Sequence, residues 1–413
     1  MRPPLPEGPY LIVGLARSGV AAARMLASHG EVLAVDRGRP ELPADLDAEL
    51  ESDGLGLLGR AACVVKSPGV PNEAPVLAAA RERGVPVLGE LELAWRLLPN
   101  RFVAVTGTNG KTTTTELLGA IWRAADLPVA VAGNVGTPLS SLIGNVSEEA
   151  TIVCEVSSFQ AEDAVLFRPD TGLLLNLTPD HLDRHGSFDA YRQAKLSMFA
   201  RQRPEDVAVA PAGVHVPGEG RRLEFGDPAE LPLPRSEIRL RGPHNLENAM
   251  GASAAALAGG VPAEAVAAAL RSFAGVPHRL EEIGSVGGVL YVNDSKATNV
   301  SSAARGIESF DCGVHAILGG SLKGGGFEGL RDPVASRCRA CYLIGEAADR
   351  LGADLDGAAP LRRCGDLETA MREARAAAAS GDVVLLSPAC ASYDQYRDYE
   401  QRGDHFRSLV PRA

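Results

Sequence analysis

The sequence predicts an α/β protein of three domains built on parallel sheets. Three observations point there. Short β-rich runs alternate with helical stretches along the chain, glycine turns stand where strands hand over to helices, and 413 residues are too many for one core. The first domain is expected over residues 1–93, the second over 94–275 and the third over 276–413, with Gly275-Val-Pro-His-Arg279 as the second linker.

In the first domain, Tyr10–Val13 reads as a buried strand that ends in Gly14-Leu-Ala-Arg-Ser-Gly19. An Ala-rich helix then runs to about His29, and strands follow at 31–35 and 62–65, the last before the turn Ser67-Pro-Gly69. This is a Rossmann-like pattern. In the second, a strand over 102–106 runs through a glycine turn into a helix from Lys111 to about Ala125. Strands are expected at 129–132, 151–156 and 170–176, and helices at 188–199, 245–257 and 263–273. The proline-rich stretch 203–241 is left to short strands and loops. This domain has the pattern of a P-loop mononucleotide-binding fold. The third domain has strands at 289–293, 314–318, 342–344 and 382–386, with helices at 300–309 and 367–378. A polar helix over about 393–409 closes a dinucleotide-fold-like unit.

Bulk properties remove several function classes. The composition, 45% apolar and 23% charged, is that of an ordinary globular protein. A net charge of −11 argues against a nucleic-acid partner, yet leaves room for a local phosphate site made of backbone N–H groups, a lysine and a metal. Seven widely spaced cysteines, an odd number, read as reduced thiols, and the lone pair Cys338/Cys341 lacks a second pair to complete a zinc site. No signal peptide is visible and no apolar run reaches the roughly 20 residues that span a bilayer. A cytoplasmic protein without membrane partners is expected.

The strongest chemical signal is Val103-Ala-Val-Thr-Gly-Thr-Asn-Gly-Lys-Thr-Thr113. A strand, a glycine turn and a helix aim N–H groups and a helix dipole at an anion. Lys111 would reach the β- and γ-phosphates, and Thr112 would ligate Mg²⁺. Val105 stands where the common motif has its first glycine, so the strand–turn–helix context carries the assignment. The alternative is a plain helix N-terminus with an incidental lysine. Further along, Glu155 ends an apolar run, where a nucleotide-bound Mg²⁺ wants an oxygen ligand; a carboxylate complementing a helix dipole is the plainer reading. His181, after Asp180, and Lys195, on a helix, are readable by themselves as surface residues. Gly14-x-Ala16-x-x-Gly19 with Asp36 approximates a dinucleotide fingerprint, but alanine replaces the second glycine.

The loop Thr106-Gly-Thr-Asn-Gly-Lys-Thr112 resembles that shared by the Mur ligases and the folylpolyglutamate synthetases, and further matches extend along essentially the whole chain. The resemblance implies an enzyme that activates a carboxylate with ATP as an acyl phosphate and lets an amine attack it, using ATP and two Mg²⁺ ions. It implies nucleotide contacts from Gly107, Thr108, Asn109, Gly110, Lys111, Thr112 and Thr113, and also from Asn248, Arg279 and Asp294. Metal ligation falls to Thr112, Glu155, His181 and a carbamylated Lys195. Lys111, His181 and Lys195 are the catalytic residues.

The third domain narrows the substrate. Asn293-Asp-Ser-Lys-Ala-Thr-Asn299, Gly319-Gly-Ser-Leu-Lys-Gly324 and Ser387-Pro-Ala-Cys-Ala-Ser-Tyr-Asp-Gln395 resemble the D-glutamate-adding members. This implies addition of D-glutamate to UDP-N-acetylmuramoyl-L-alanine in peptidoglycan precursor synthesis, and with it a place in cell-wall biogenesis, cell shape and division. Lys323, Ser392 and Tyr399 would hold the amino acid, with Lys296 and Thr298 nearby; Tyr399 departs from the usual phenylalanine. A dianionic amino acid needs such cations and hydroxyls. His278 lies at the linker. Asn134 and Ser157 would contact the muramoyl-alanine part, and Ser18 and Ser67 the UDP end. The partners implied are small molecules and the chain a monomer. Three alternatives remain: a folylpolyglutamate synthetase, an NAD-dependent oxidoreductase and a silent nucleotide-binding scaffold.

Overall fold

A computed structural model describes residues 2–134, 136–240, 242–322 and 325–411. The chain divides into two compact units. One comprises residues up to Ile238 together with Leu246–Ser272, the other Arg239–Asn245 together with residues from Phe273 onward.

The first unit holds two sheets. The N-terminal sheet has strands β1 (Tyr10–Val13), β2 (Val32–Asp36), β3 (Glu49–Leu50), β4 (Cys63–Lys66) and β5 (Val87–Gly89), all parallel, in the order β3-β2-β1-β4-β5. Its helices are α1 (Arg17–Leu26), α2 (Pro75–Glu82) and α3 (Glu90–Leu97). Tyr10, Ile12, Ala34 and Val65 pack with Ala22 and Leu26 of α1 on one face, while Leu11, Val13, Val35 and Val64 pack with Val76 and Leu77 of α2 on the other. Burial on both faces explains the unbroken apolar runs in the sequence. Strand order reverses between β1 and β4, and ligands of open α/β sheets sit at the carboxyl ends of strands at such a point.

The expected division at residue 93 falls inside α3. Leu93 belongs to the N-terminal core, whereas Leu91, Ala94 and Trp95 join the core of the next sheet. Two buried acids of this helix bind across as well. Glu90 Oε1 accepts from the N–H and hydroxyl of Ser140 at 2.6 and 2.8 Å, and Glu92 Oε2 accepts from the N–H groups of Leu166 and Phe167 at 2.8 and 2.7 Å. A helix buried almost all round, with its acids satisfied by a neighbouring layer, gives the sequence no composition break to mark.

The central sheet has β6 (Phe102–Thr106), β7 (Val129–Gly133), β8 (Thr151–Glu155), β9 (Thr171–Leu174), β10 (Val207–Pro211) and β11 (Arg221–Phe225), parallel, in the order β11-β10-β9-β6-β8-β7. With it go α4 (Lys111–Ala124), α5 (Ser158–Glu162), α6 (Leu182–His185), α7 (Phe188–Leu196), α8 (Pro243–Ala258) and α9 (Ala263–Ser272). The strand feeding the glycine loop, β6, lies in the middle, between β8 and β9.

The second unit carries β12 (Glu281–Val286), β13 (Val289–Asn293), β14 (Val314–Gly319), β15 (Cys338–Ile344), β16 (Leu361–Gly365) and β17 (Val383–Leu386), in the order β12-β13-β17-β14-β15-β16. All pairs are parallel except the β12–β13 hairpin. Its helices are α10 (Val300–Glu308), α11 (Arg331–Arg337), α12 (Ala348–Asp354), α13 (Leu367–Ala377) and α14 (Tyr399–Leu409). The final helix starts at Tyr399 rather than 393, because Asp398 caps it by accepting from the Gln401 N–H at 2.7 Å. No helix among the described residues is long and apolar enough to cross a membrane.

Candidate active site

The glycine loop is built as its sequence suggests. Gly110 caps α4 with φ of +82°, and a Cβ there would stand 2.1 Å from Asn248 Oδ1. Only glycine meets both conditions. The loop is fastened to the segment after β9. Thr108 N–H donates to Asn176 O at 3.0 Å, Asn109 N–H to Asn176 Oδ1 at 2.9 Å, and the Thr108 hydroxyl to Thr178 O at 3.0 Å. Lys111 folds back, its ammonium donating to Gly107 O at 3.0 Å and Thr108 O at 3.1 Å. Thr112 and Thr113 are buried in the first turn of α4.

A second lysine reaches the same carbonyl. Lys195, on α7, is 2% exposed and donates to Gly107 O at 2.7 Å, its ammonium 4.7 Å from the centre of the Tyr191 ring. The Tyr191 hydroxyl in turn donates to the Thr108 hydroxyl at 3.0 Å. Burial, reinforced by the Lys111 charge and opposed by Asp180 and Glu155, pulls the Lys195 amine from the ordinary lysine value of 10.5 to about 7. On sequence alone this residue reads as a solvated helix lysine; the fold makes it a buried amine poised near neutrality.

Glu155 ends β8 beside β6 and is buried. Its Oε1 accepts from the Asn134 amide at 2.9 Å, while its Oε2 is buried and has no hydrogen-bond partner. His181 precedes α6 in the left-handed conformation (φ of +50°), exposed, its ring 5.0 Å from Phe159 and 6.5 Å from Tyr191. Among the described residues no three His, Cys, Asp or Glu side chains form a group able to hold a metal ion. The expected ligand set contains only two residues of those types, Glu155 and His181. Thr112 supplies a hydroxyl, and Lys195 completes the set only if its cation becomes an anion.

A cleft of about 400 Å³ opens at the reversal point of the N-terminal sheet, lined by Gly14, Ser18, Ser67, Asn134 and Gln160 among others. Three residues expected to touch substrate, Ser18, Ser67 and Asn134, thus share one wall system. Ser67 also donates to Gly14 O at 2.7 Å. Ser157 is engaged in capping α5: its hydroxyl accepts from Gln160 N–H and donates to Gln160 Oε1. Asp36, the ribose ligand of a dinucleotide reading, instead accepts from Leu15 N–H at 2.6 Å and Gly38 N–H at 2.7 Å, bracing the turn.

In the second unit the loops leaving β13 and β17 carry Asp294, Lys296, Thr298 and Ser392, while His278 and Arg279 precede β12 and Tyr399 opens α14. Lys296 places its ammonium 5.3 Å from the Tyr399 ring centre, and Tyr399 packs edge-on against His278 at 6.1 Å. Ser392 is buried and Thr298 half-buried. His278 and Leu280 both have positive φ, +62° and +44°, on either side of Arg279. Asp294 is buried, accepting from the Ser387 hydroxyl at 2.7 Å and the Leu280 N–H at 3.1 Å, and burial raises its carboxyl to about 7. Lys323 lies outside the described residues. One residue that sequence reasoning passed over stands out here: Arg402 of α14, a guanidinium 1% exposed beneath these same loops.

Fold and site together define a multi-domain α/β protein whose central sheet presents a strand–glycine loop–helix turn beside a buried lysine. Comparison with known proteins places it further. Residues 105–217 match the Mur ligase middle domain, and residues 278–390 match the Mur ligase glutamate ligase domain. The chain is 43% identical to the UDP-N-acetylmuramoylalanine–D-glutamate ligase of Acidobacterium capsulatum, covering 97% of this chain and 95% of that one, and 44% identical to the corresponding ligase of Anaeromyxobacter dehalogenans, with 97% and 96% coverage. Its fold is similar to that of the MurF ligase of Thermotoga maritima, solved in complex with ADP. The TM-score is 0.59 at 18% identity, with 98% and 95% of the two chains covered. The chain belongs to the Mur ligases, in the UDP-N-acetylmuramoylalanine–D-glutamate ligase family.

Proposed function

We propose that this chain joins D-glutamate to UDP-N-acetylmuramoyl-L-alanine at the expense of ATP, in the cytoplasmic stage of peptidoglycan precursor synthesis. Identity near 40% over 97% of the chain to ligases of that name carries the reading. It does not favour a folylpolyglutamate synthetase.

In this reading the γ-phosphoryl group of ATP passes to the alanyl carboxylate, ADP departs, the D-glutamate amine attacks the acyl phosphate, and phosphate leaves as the amide forms. The loop from Gly107 to Thr113 receives the phosphates through its N–H groups, and Lys111 exchanges its two carbonyl partners for phosphate oxygens. Asn248, against Gly110, borders the nucleotide, with Arg279 and Asp294 as its contacts in the second unit. The cleft at the N-terminal sheet takes the UDP-linked substrate, with Ser18 and Ser67 toward the UDP end and Asn134 and Ser157 toward the muramoyl-alanine. We assign Lys323, Ser392 and Tyr399 to the amino acid, Lys296 and Thr298 to positions near both amino acid and nucleotide, and His278 with Arg279 to the nucleotide. We assign residues 1–93, 94–275 and 276–413 to the UDP-substrate, ATP and amino-acid roles, with the chain acting as a monomer.

The residues present fit magnesium. Glu155 offers a buried oxygen without a partner, Thr112 a hydroxyl in the first turn of α4, His181 an imidazole, and Lys195 an amine depressed enough to react with CO₂. Bound magnesium supplies charge neutralisation for the clustered phosphate oxygens. The neutral Lys195 amine bonds the carbon of CO₂ and releases one proton; counted from the ammonium, two protons leave as a buried cation becomes a carbamate anion. The experiment is ADP release measured with a panel of amino acids and acceptors. Release that needs both D-glutamate and UDP-N-acetylmuramoyl-L-alanine is expected; equal rates with L-glutamate, or release with a pterin acceptor instead, overturns the reading.

A further inference from the structure

We propose that Arg402 is the positioning residue that sets both the shape and the charge of the amino-acid pocket in the second unit, favouring a dicarboxylate. The proposal rests on the ligase reading above.

Arg402 heads the fully buried side chains by volume, and its fork reaches three loops at once. Nε donates to the Ser295 hydroxyl at 3.0 Å. Nη2 donates to Ser295 O at 2.9 Å and Cys390 O at 3.1 Å, and Nη1 to Ala391 O at 3.2 Å and Gly319 O at 3.4 Å. These acceptors lie just beyond β13 and β17 and at the end of β14. They are the immediate neighbours of the residues expected to meet the amino acid. Ser295 adjoins Lys296, Ala391 adjoins Ser392, and Tyr399 lies one turn earlier on α14, its carbonyl accepting from the Ser295 hydroxyl at 2.8 Å. A single planar group therefore fixes the relative positions of three loops that independent strands deliver. Only an arginine has five N–H donors in one plane.

The charge is the second half of the inference. Every acceptor is a neutral carbonyl or hydroxyl, and among the described residues no carboxylate lies within ion-pair distance of Arg402. Asp394, the acid that acts on it from further off, is itself held by the Ser321 hydroxyl and the Glu346 N–H. A buried cation solvated by dipoles but not neutralised is costly, and structure alone is better served by an apolar or paired residue. An incoming amino acid with two carboxylates and a neutral, nucleophilic amine removes that cost. A side chain without the second carboxylate removes less of it.

The test uses the full chain with Arg402→Lys and Arg402→Met, measuring kcat and the KM of each of the three substrates, with D-glutamine as a competitive inhibitor against D-glutamate. Arg402→Lys, which keeps the charge but loses the fork, is expected to raise the D-glutamate KM about tenfold, and Arg402→Met about 100-fold, with the other two KM values within about twofold. The D-glutamine inhibition constant should rise about tenfold less than the D-glutamate KM in Arg402→Met, because the neutral amide gains less from the charge. Equal rises in all three KM values, a fall confined to kcat, or parallel weakening of D-glutamate and D-glutamine overturns the proposal. If Arg402→Met does not fold, Arg402→Lys decides by the same KM pattern. Failure of the ligase reading shows separately, as wild-type protein that releases no ADP with D-glutamate; the proposal falls with it unless another dicarboxylate amino acid replaces D-glutamate and shows the same KM dependence on Arg402.

Discussion

Removing CO₂ should switch this protein off, and the reason is written in the surroundings of Lys195. Its amine is buried, hydrogen-bonded to Gly107 O and close to the Lys111 charge, and its pKa falls from 10.5 to about 7. At pH 7 roughly half of such amines are neutral, against roughly three in ten thousand for an ordinary lysine, a gain of about three orders of magnitude in the form that attacks CO₂. Carbamylation would exchange a +1 group for a −1 group that feels the Glu155 charge, and Glu155 Oε2, buried without a partner, would add to an anionic metal face. The assay is coupled ADP release in buffer purged of CO₂, with and without added bicarbonate, between pH 6 and 9, alongside carbon NMR of protein incubated with labelled bicarbonate. Activity should fall on purging, return with bicarbonate, and decline as pH drops below about 7, where the amine is protonated. Lys195→Ala should lose at least about 100-fold in kcat, with partial rescue by acetate, and Lys195→Arg should lose as much because a guanidinium cannot react. Full activity in either variant, or indifference to CO₂ together with no carbamate resonance, refutes the reasoning.

Other perturbations follow from the same geometry. Lys111→Ala should lower kcat for ADP release about 1000-fold, because it removes the cation nearest the transferring phosphoryl group, while far-ultraviolet circular dichroism stays unchanged. Gly110→Ala should raise the ATP dissociation constant, measured by calorimetry, at least tenfold, since its Cβ meets Asn248 Oδ1 at 2.1 Å on a backbone with φ of +82°. The buried pair Lys66–Asp163, at 2.6 and 2.7 Å to the two oxygens, should not tolerate a single cut. Lys66→Met strands the Asp163 carboxylate and costs about 3–5 kcal/mol in urea unfolding, whereas Lys66→Met with Asp163→Leu recovers most of it. Asp294 has its folded pKa raised, to about 7 from 3.8, so its contribution to stability is fully present below about pH 4 and is lost as pH rises through 7. Asp294→Asn should therefore flatten the urea midpoint between pH 4 and 8; an unchanged slope sinks that assignment.

What the sequence disclosed, and what it hid, divides along one physical line. Strands β6 and β13 were readable to the residue, because buried parallel strands are apolar on both faces and end in glycine or polar turns. The strand–glycine turn–helix was readable because it is purely local: a strand end, two glycines and a helix start. Strands β12 and β16 were not marked, since both lie at sheet edges and mix exposed with half-buried positions, and α3 was not, because it is buried on nearly every side and its acids break any amphipathic period. The state of Lys195 was invisible because α7 shows nothing of Gly107, 88 residues earlier, that buries it. Arg402 was hidden for the same reason: its partners lie 11, 12, 83 and 107 residues away, and an Arg within the polar run Tyr399–Leu409 reads as a solvated helix cation.

Three buried cations show how differently one fold can handle the same charge. Lys66 is answered by both oxygens of Asp163, so its charge is spent locally and it has nothing left to offer a ligand. Arg402 is surrounded by carbonyls; a guanidinium tolerates that environment because its charge is delocalised, and burial brings its pKa down only to about 10, so it stays a cation at every physiological pH. Lys195 has one carbonyl, an aromatic ring and a second lysine nearby, an arrangement that solvates an ammonium poorly. A compact ammonium in such a site sheds its proton more readily than either of the others, and of the three it alone donates to the glycine loop and feels the charge of Glu155. The fold thus reserves reactivity for the cation it solvates worst. Giving Lys195 a local partner tests this: Tyr191→Glu puts a carboxylate one turn earlier on α7, in place of the ring 4.7 Å from the ammonium, and should raise its pKa toward 10 and abolish bicarbonate-dependent activity at pH 7. A variant with the restored pKa, shown by NMR titration of labelled lysine, that still responds to bicarbonate as before would show that poor solvation is not what makes this lysine reactive.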